Sequence, residues 1–433
     1  MTPTARPAAV DPFDGFTHAE WATLAREYLL AGHLVDRAGM PHVVAELGRD
    51  GMVAVAIDEW MGASPLYTAR MQRALRFGGD DVATMFKGMQ LDVGAPPEFL
   101  DFRYRVHDDH HGEFHLDHCG ALMDVEPMGD AMVEAMCHTI EDPTFQATAC
   151  ASNPRARLTP VHRPPRTPAD RHPHCHWQVT IDTDADALAL PGVAARLATA
   201  AAASVEVPER AALRRDDGRD DYAGPLDADL RMEDFSSAAL GRITSEAALQ
   251  AHLLVLSFLA AAADHGVTDS TALGIRQFTG VAGVVAGRLA RVAAVASGAS
   301  GLAQLLALHP ALGPRPYLDA GFTVDGDEVV GGMWPCPAAG ESLAPGWGVQ
   351  LAAGTTAPLA AMARALDARW GVSVVDPASH PATAGALVAW RFALDAAAHP
   401  VDDDVTLTAF STGAAFEFRR TGPRPPASTG GAR

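Results

Sequence analysis

Histidine and cysteine are concentrated in one stretch of this chain. Ten of the 18 histidines and four of the five cysteines lie between His107 and His176. Most belong to two runs, HDDHHGEFHLDHC at 107–119 and HPHCHW at 172–177, and MCHTIED at 136–142 lies between them. Imidazole and thiol groups are the side chains that bind zinc, iron and related metals. We therefore expect a transition-metal site in this stretch, with zinc favoured over iron.

Carboxylates accompany these ligands on a predicted helix at 128–140. Glu134, His138 and Glu141 follow at i, i+4 and i+7, which places them on one stripe, with Cys137 beside it. We take these three residues as candidate catalytic acids and bases. The alternative is a solvated Glu–His–Glu face above a buried cysteine.

Period-two alternation predicts which side chains share a face in the neighbouring strands. In 174–181, His174 and His176 lie on one face, and Cys175 and Trp177 lie on the other. In 113–119, Cys119 shares a face with the polar residues, and His118 turns inward. We expect an apolar ligand pocket lined by Trp177, Phe114 and Phe145.

The elements around these residues form a unit that the sequence repeats. Helical patterns fill 18–92, and strands are expected at 100–108, 113–119, 156–162 and 174–181. The segments 318–340 and 372–392 align with 100–122 and 158–179, which indicates an internal duplication. The second copy keeps the pattern but places Val388 and Ala389 where the first has Cys175 and His176. A ligand that folding requires should be present in both copies, so this loss favours a functional site in the first.

We expect an α+β fold made of tandem helices-then-antiparallel-sheet units, the second degenerate. The predicted organisation is an N-terminal extension at 1–17, a metal-binding α+β domain at 18–181, a linker with a helix and a charged loop at 182–243, a second α+β copy at 244–420 and a disordered tail at 421–433.

The composition of the chain indicates which classes of partner it can bind. Lys plus Arg is 33 and Asp plus Glu is 53, giving a net charge of −20. Such a chain repels nucleic-acid phosphates and anionic lipid. The N-terminus has no apolar secretion signal, and five cysteines favour reduced thiols over disulfides. We expect a cytoplasmic protein that binds a small molecule and binds neither nucleic acid nor membrane. A homodimer is one arrangement that the sequence leaves open.

The pattern from Cys137 to Trp177 resembles the vinyl-reductase-type ligand-binding domain and the L-2-amino-thiazoline-4-carboxylate hydrolase-like family. The resemblance covers mainly residues 100–181. Cys137 matches the helix cysteine, His162 lies near the mid-strand cysteine and Cys175 matches the last cysteine. Thr159 falls near the family's glutamate, which it replaces poorly. In sensor members these positions hold zinc, so the resemblance implies a metal site with an altered ligand set.

Combining the resemblance with the residue types gives the predicted ligands Cys137, His162 and Cys175, completed by His138, His174 or His176. A metal-bound water would then be the nucleophile, with Glu141 or Glu134 as its base.

Three functions remain open. The first is a metal-dependent enzyme acting on a small organic substrate, for which the resemblance implies hydrolysis of a C–N or C–S bond. The second is a non-catalytic sensor that binds an aromatic molecule and holds structural zinc. The third is an iron or haem redox enzyme. No phosphate-binding loop, dinucleotide fingerprint or G-x-S-x-G elbow occurs in the sequence.

Overall fold

The computed structural model describes residues 12–421, so the extension at 1–11 and the tail from 422 onward lie outside the described residues. The longer helices are α1 (His18–Ala74), α2 (Val82–Met89), α3 (Gly120–Val125), α4 (Asp130–Glu134), α5 (Glu141–Cys150), α6 (Gly192–Leu197), α7 (Ala201–Ser204), α8 (Ser237–Asp264), α9 (Ser270–Val292), α10 (Ala299–Leu308), α11 (Trp347–Ala352), α12 (Ala357–Arg364) and α13 (Asp403–Thr408). The strands are β1 (Leu100–Asp108), β2 (His111–Cys119), β3 (Ala156–His162), β4 (Cys175–Ile181), β5 (Ala320–Asp325), β6 (Glu328–Met333), β7 (Trp370–Val375) and β8 (Val388–Leu394).

These strands form two separate four-stranded antiparallel sheets with the same topology. The first has the order β1-β2-β4-β3, and the second has β5-β6-β8-β7. Helices precede each sheet, so the predicted α+β fold with two similar units is confirmed. We call the two units the first and second repeat.

The helices of the two repeats also correspond. The long helix α1 bends at Gly48, whose φ of 73° is a conformation that glycine adopts readily. Its two halves therefore match the separate helices α8 and α9 of the second repeat. Hydroxyl side chains cap the corresponding helix starts, since Thr17 caps α1 and Ser236 caps α8.

Two buried ion pairs join the repeats reciprocally. Arg288 of α9 contacts Glu27 of α1 through two hydrogen bonds of 2.7 and 3.0 Å. Arg70 of α1 contacts Glu246 of α8 in the same way, at 2.8 and 3.0 Å. Because each repeat gives one glutamate and one arginine, the two pairs are related by a pseudo-two-fold arrangement.

The segment 182–243 was predicted to be a linker, but several of its side chains are buried in the protein. Many of its charged residues are exposed, as its composition predicts, but Tyr222, Met232 and Phe235 are buried. Lys87 of α2 donates to the Tyr222 carbonyl at 3.1 Å. The segment therefore packs on the first repeat, and α8 begins within it at Ser237.

The helix α8 is long and apolar enough to cross a membrane by length and composition. Almost all of its apolar stretch is buried inside the protein, as expected for a core helix.

Candidate functional site

The first sheet divides the predicted metal ligands between its two faces. Cys175 is buried on the face that packs against the helices, whereas His176 lies on the outer, partly exposed face. His162 also lies on the outer face, where its ring is 6.1 Å from that of His176. Cys137 is buried beneath the sheet. The set Cys137, His162 and Cys175 that the resemblance implies therefore does not converge on one point.

The outer face carries a row of imidazoles across three strands. His115, His176 and His162 are paired neighbours on β2, β4 and β3. His176 Nε2 lies 3.2 Å from a Glu113 carboxylate oxygen, and His115 Nε2 lies 3.3 Å from Asp117. The outer face of the first sheet is therefore a polar, solvent-exposed surface on which these histidines contact carboxylates.

A β-bulge brings Cys119 to the inner face. Leu100 pairs with Cys119 and Phe102 pairs with Leu116, so β2 has one more residue than β1 between these pairs. Cys119 is consequently buried with Leu116, contrary to the strict alternation that predicted a polar face for it. Its thiol sulfur accepts the Leu122 N–H at 3.3 Å and caps α3.

A π-helix at Ala135–Ile140 separates α4 from α5 and changes the predicted stripe. Cys137 is buried, and Glu141 is partly buried. Glu134 is exposed, one turn earlier. His138 Nε2 lies 2.7 Å from the Pro164 carbonyl, to which it donates. The three predicted acid–base residues therefore do not share one environment, and only Glu141 enters the inner face.

Glu141 and three cysteines make up what we call the thiol–carboxyl cluster: Cys119, Cys137, Cys175 and Glu141. Burial raises the pKa of Glu141 to about 8, although Arg163 opposes this effect. Burial and then the Glu141 charge raise the pKa of Cys119 to about 12, and the same causes raise the pKa values of Cys137 and Cys175 further. The thiols are therefore neutral near pH 7, and Glu141 is mostly protonated.

The three aromatic residues that were predicted to line a pocket lie in contact with one another. They form part of the hydrophobic core. Phe145 meets Trp177 edge-on at 5.1 Å and Phe114 at 5.7 Å, and the latter two stack at 6.2 Å. Phe114 and Trp177 are both buried. They support the sheet above the cluster.

A buried polar group on α1 was missed by the sequence analysis. We call it the α1 group: His33, Asp36, Arg37 and Glu59. Arg37 Nε and Asp36 Oδ2 lie 3.0 Å apart. Both ring nitrogens of His33 are buried without a hydrogen-bond partner among the described residues. The buried Glu59 carboxyl lies against Asp36, to which it is hydrogen-bonded in its protonated form.

Electrostatics and packing connect the α1 group to the thiol–carboxyl cluster. Burial lowers the pKa of Arg37, but Asp36, Asp124, Cys119 and Glu59 together outweigh burial, so the pKa is raised. The His33 ring packs edge-on against Phe99 at 5.1 Å. A Cβ on Gly120, next to Cys119, would lie 2.1 Å from that same Phe99 ring. Burial, followed by the Asp36 charge, raises the pKa of Glu59 well above its usual range.

The second repeat lacks most of this chemistry at the equivalent positions. Counting from the helix caps Thr17 and Ser236, His33 matches His252, Asp36 matches Val255 and Arg37 matches Leu256. Counting from the paired arginines Arg70 and Arg288, Glu59 matches Gln277. His252 lies 2.8 Å from the Gly313 carbonyl and so has a partner. This helix-to-helix alignment is the feature of the sequence that could have found the α1 group.

His174 lies apart from both groups. It is 4% exposed, and its Nδ1 has no hydrogen-bond partner among the described residues. Its ring neighbours are His172 at 4.9 Å and His118 at 6.2 Å. Burial and then the nearby Arg166 lower the pKa of His174 to about 4.

No family model, curated protein or solved structure matches this chain. Within residues 12–421, no three histidine, cysteine, aspartate or glutamate side chains are arranged to hold a metal ion. The resemblance and the metal site therefore stay predictions, and the ligand set that the resemblance implies does not fit this arrangement of the sheet.

Proposed function

We propose that the first repeat is an enzyme that acts on a small organic substrate by acid–base chemistry at the thiol–carboxyl cluster and the α1 group. The supporting observation is His33, whose two buried ring nitrogens have no partner among the described residues, beside the Arg37–Asp36 ion pair. A buried polar atom without a partner costs about 1–3 kcal/mol. Such atoms are retained where a ligand or water completes their hydrogen bonds.

Glu141 is the proposed general acid. A carboxyl group with a pKa of about 8 carries its proton at pH 7 and exchanges it readily at that pH. Glu59 is a second proton donor, because burial and Asp36 raise its pKa. His33 is the uncharged acceptor, since burial and then the nearby Arg37 charge lower its pKa well below the usual range.

The thiols are assigned a binding role. Their raised pKa values keep them protonated, and a neutral thiol is a poor nucleophile. Water is then the nucleophile for the reaction that we propose, hydrolysis of a C–N or C–S bond. Glu141 would donate its proton to the departing nitrogen or sulfur, and His33 would take the proton from water.

A comparison of two glutamates tests this proposal. The variants E141Q and E134Q each remove one carboxylate, from positions about two helical turns apart, but only Glu141 belongs to the cluster. Hydrolysis of 2-aminothiazoline-4-carboxylate and of a panel of small cyclic amidines and thioesters would be followed by mass spectrometry. We expect E141Q to lose at least about a hundredfold in kcat/KM and E134Q to retain the wild-type value. Equal activity of E141Q and wild type would overturn the assignment.

A further inference from the structure

A cavity of about 670 Å³ lies where the two repeats meet. None of its lining residues belongs to the thiol–carboxyl cluster or to the α1 group. Its walls come from α1, α8, α10, β5 and the segments before α1 and α8, and include Phe13, Trp21, Tyr28, Arg210, Ser245, Ala303, Gln304, Arg315 and Phe322. This volume is typical of small-molecule sites.

One wall of the cavity is flat and aromatic. The rings of Phe13 and Trp21 stack at 5.0 Å with an interplanar angle of 17°. Phe322 is buried on β5, opposite the small side chains Ala303 and Ala307 of α10. Large rings on one side and small side chains on the other favour a flat apolar body.

Trp21 and Gln304 differ in what they offer a ligand, although both line the cavity. The indole Nε1 of Trp21 is buried, so Trp21 offers its ring and not its N–H. The Gln304 amide is partly buried in α10 and is a polar group of the lining.

The charge of the lining is positive, although the chain as a whole is acidic. Arg210 lies over the Phe13 ring at 4.3 Å, and its charge also reaches Tyr28. Arg315 is exposed and forms no ion pair with the described residues. Among the described residues, Asp14 is the only acidic side chain in the lining. Two guanidinium groups against one carboxylate favour an anionic ligand.

We propose that this cavity binds a small organic acid with a flat apolar body, whose carboxylate is held by Arg315 and whose apolar body packs on the rings of Phe13 and Trp21. The apolar part of the ligand fills the space between the aromatic wall and α10. The site is separate from the chemistry proposed for the first repeat, and E141Q should bind the acid as wild type does.

The test uses two ligands that differ in charge. Binding of 2-naphthoate and of the neutral 2-naphthylmethanol to the full chain would be measured by titration calorimetry. We expect 2-naphthoate to bind at least about tenfold more tightly, which corresponds to about 1.4 kcal/mol. The variant R315Q should remove this preference, and W21F, which reduces the aromatic wall, should weaken both ligands to a similar extent.

Two controls keep the result interpretable. Arg49 is an exposed arginine far from the lining, so R49Q should leave both affinities unchanged. Thermal unfolding of each variant would confirm that the fold is intact. Absence of 2-naphthoate binding, equal affinity for the two ligands, or equal effects of R315Q and R49Q would each overturn the proposal.

Discussion

At the scale of single residues, the proposed chemistry depends on groups that burial has neutralised. A buried carboxyl group or thiol keeps its proton because the charged form loses hydration. This applies to Glu141 and to the three thiols around it. Their function as proton donors or neutral ligands therefore depends on solvent exclusion.

Glu141 should make stability depend on pH. Its pKa is about 8 in the folded protein and near 4.5 when unfolded. Its contribution is therefore fully present below pH 4.5 and is lost as pH rises to 8, because the unfolded state releases the proton first. Urea unfolding between pH 5 and 9 should show E141Q gaining stability relative to wild type as pH rises. E134Q is the control and should follow wild type, while a parallel curve for E141Q would contradict the assigned pKa.

The thiols should differ in reactivity in the native state. Cys119, Cys137 and Cys175 are buried, whereas Cys336 is partly exposed. We expect iodoacetamide at pH 7.5 to modify Cys336 first and the three clustered thiols only on unfolding, because the thiolate is the reactive form. Peptide mass spectrometry of timed samples measures this order. Early modification of Cys137 would show that it is accessible and ionised.

At the scale of elements, alternation and repetition predicted most of the framework. The strands β1 and β3 have the predicted bounds, and the two sheets agree with the predicted duplication. Two local irregularities could not be predicted from period alone. The bulge in β2 turns Cys119 inward, and the π-helix places Glu141, but not Glu134, beside Cys137. The α1 group was missed because α1 carries many charged residues, and the sequence does not indicate which of them are buried.

The two faces of the first sheet give a direct test of the predicted metal site. Cys137 belongs to the inner face, and His176 belongs to the outer face. The sequence-based prediction of a metal site requires about one equivalent of zinc by elemental analysis of the purified protein. Loss of zinc in C137A alone would assign the ion to the inner face, and loss in H176A alone would assign it to the row of imidazoles. Zinc-free wild-type protein that also fails to take up added zinc would refute the metal prediction.

The bend in α1 should depend on glycine. Gly48 has φ 73° and ψ −177°, and a Cβ there would meet no atom within 4 Å. Alanine at this position therefore costs only backbone strain, about 1–3 kcal/mol in the free energy of unfolding. Gly192 has equal space without a positive φ, so G192A should be close to neutral. Urea unfolding measures both variants, and an unaffected G48A would mean that the bend is not strained.

At the scale of the whole molecule, the two repeats have divided their roles. The second repeat keeps the sheet topology and His252, but it has apolar or amide residues where the first has Asp36, Arg37 and Glu59. Apolar side chains in those positions need no hydrogen-bond partner. We therefore infer that the second repeat has a structural role and packs against the first. The contacts between them are then as important for the site as the residues within it.

The reciprocal ion pairs should stabilise this arrangement about equally. The side chains of Glu27 and Arg288 are 3% and 4% exposed, and those of Glu246 and Arg70 are 9% and 6% exposed. Removing one charge from a buried pair leaves the other uncompensated, so E27Q and E246Q should each lower the free energy of unfolding by about 3 kcal/mol. The exposed pair Arg49–Asp50 provides a control, since D50N should change stability by less than about 0.5 kcal/mol. A large effect of E27Q together with a negligible effect of E246Q would contradict this prediction. It would mean that the two ion pairs share their geometry but not their contribution to stability, and that the Glu27–Arg288 pair holds the repeats together.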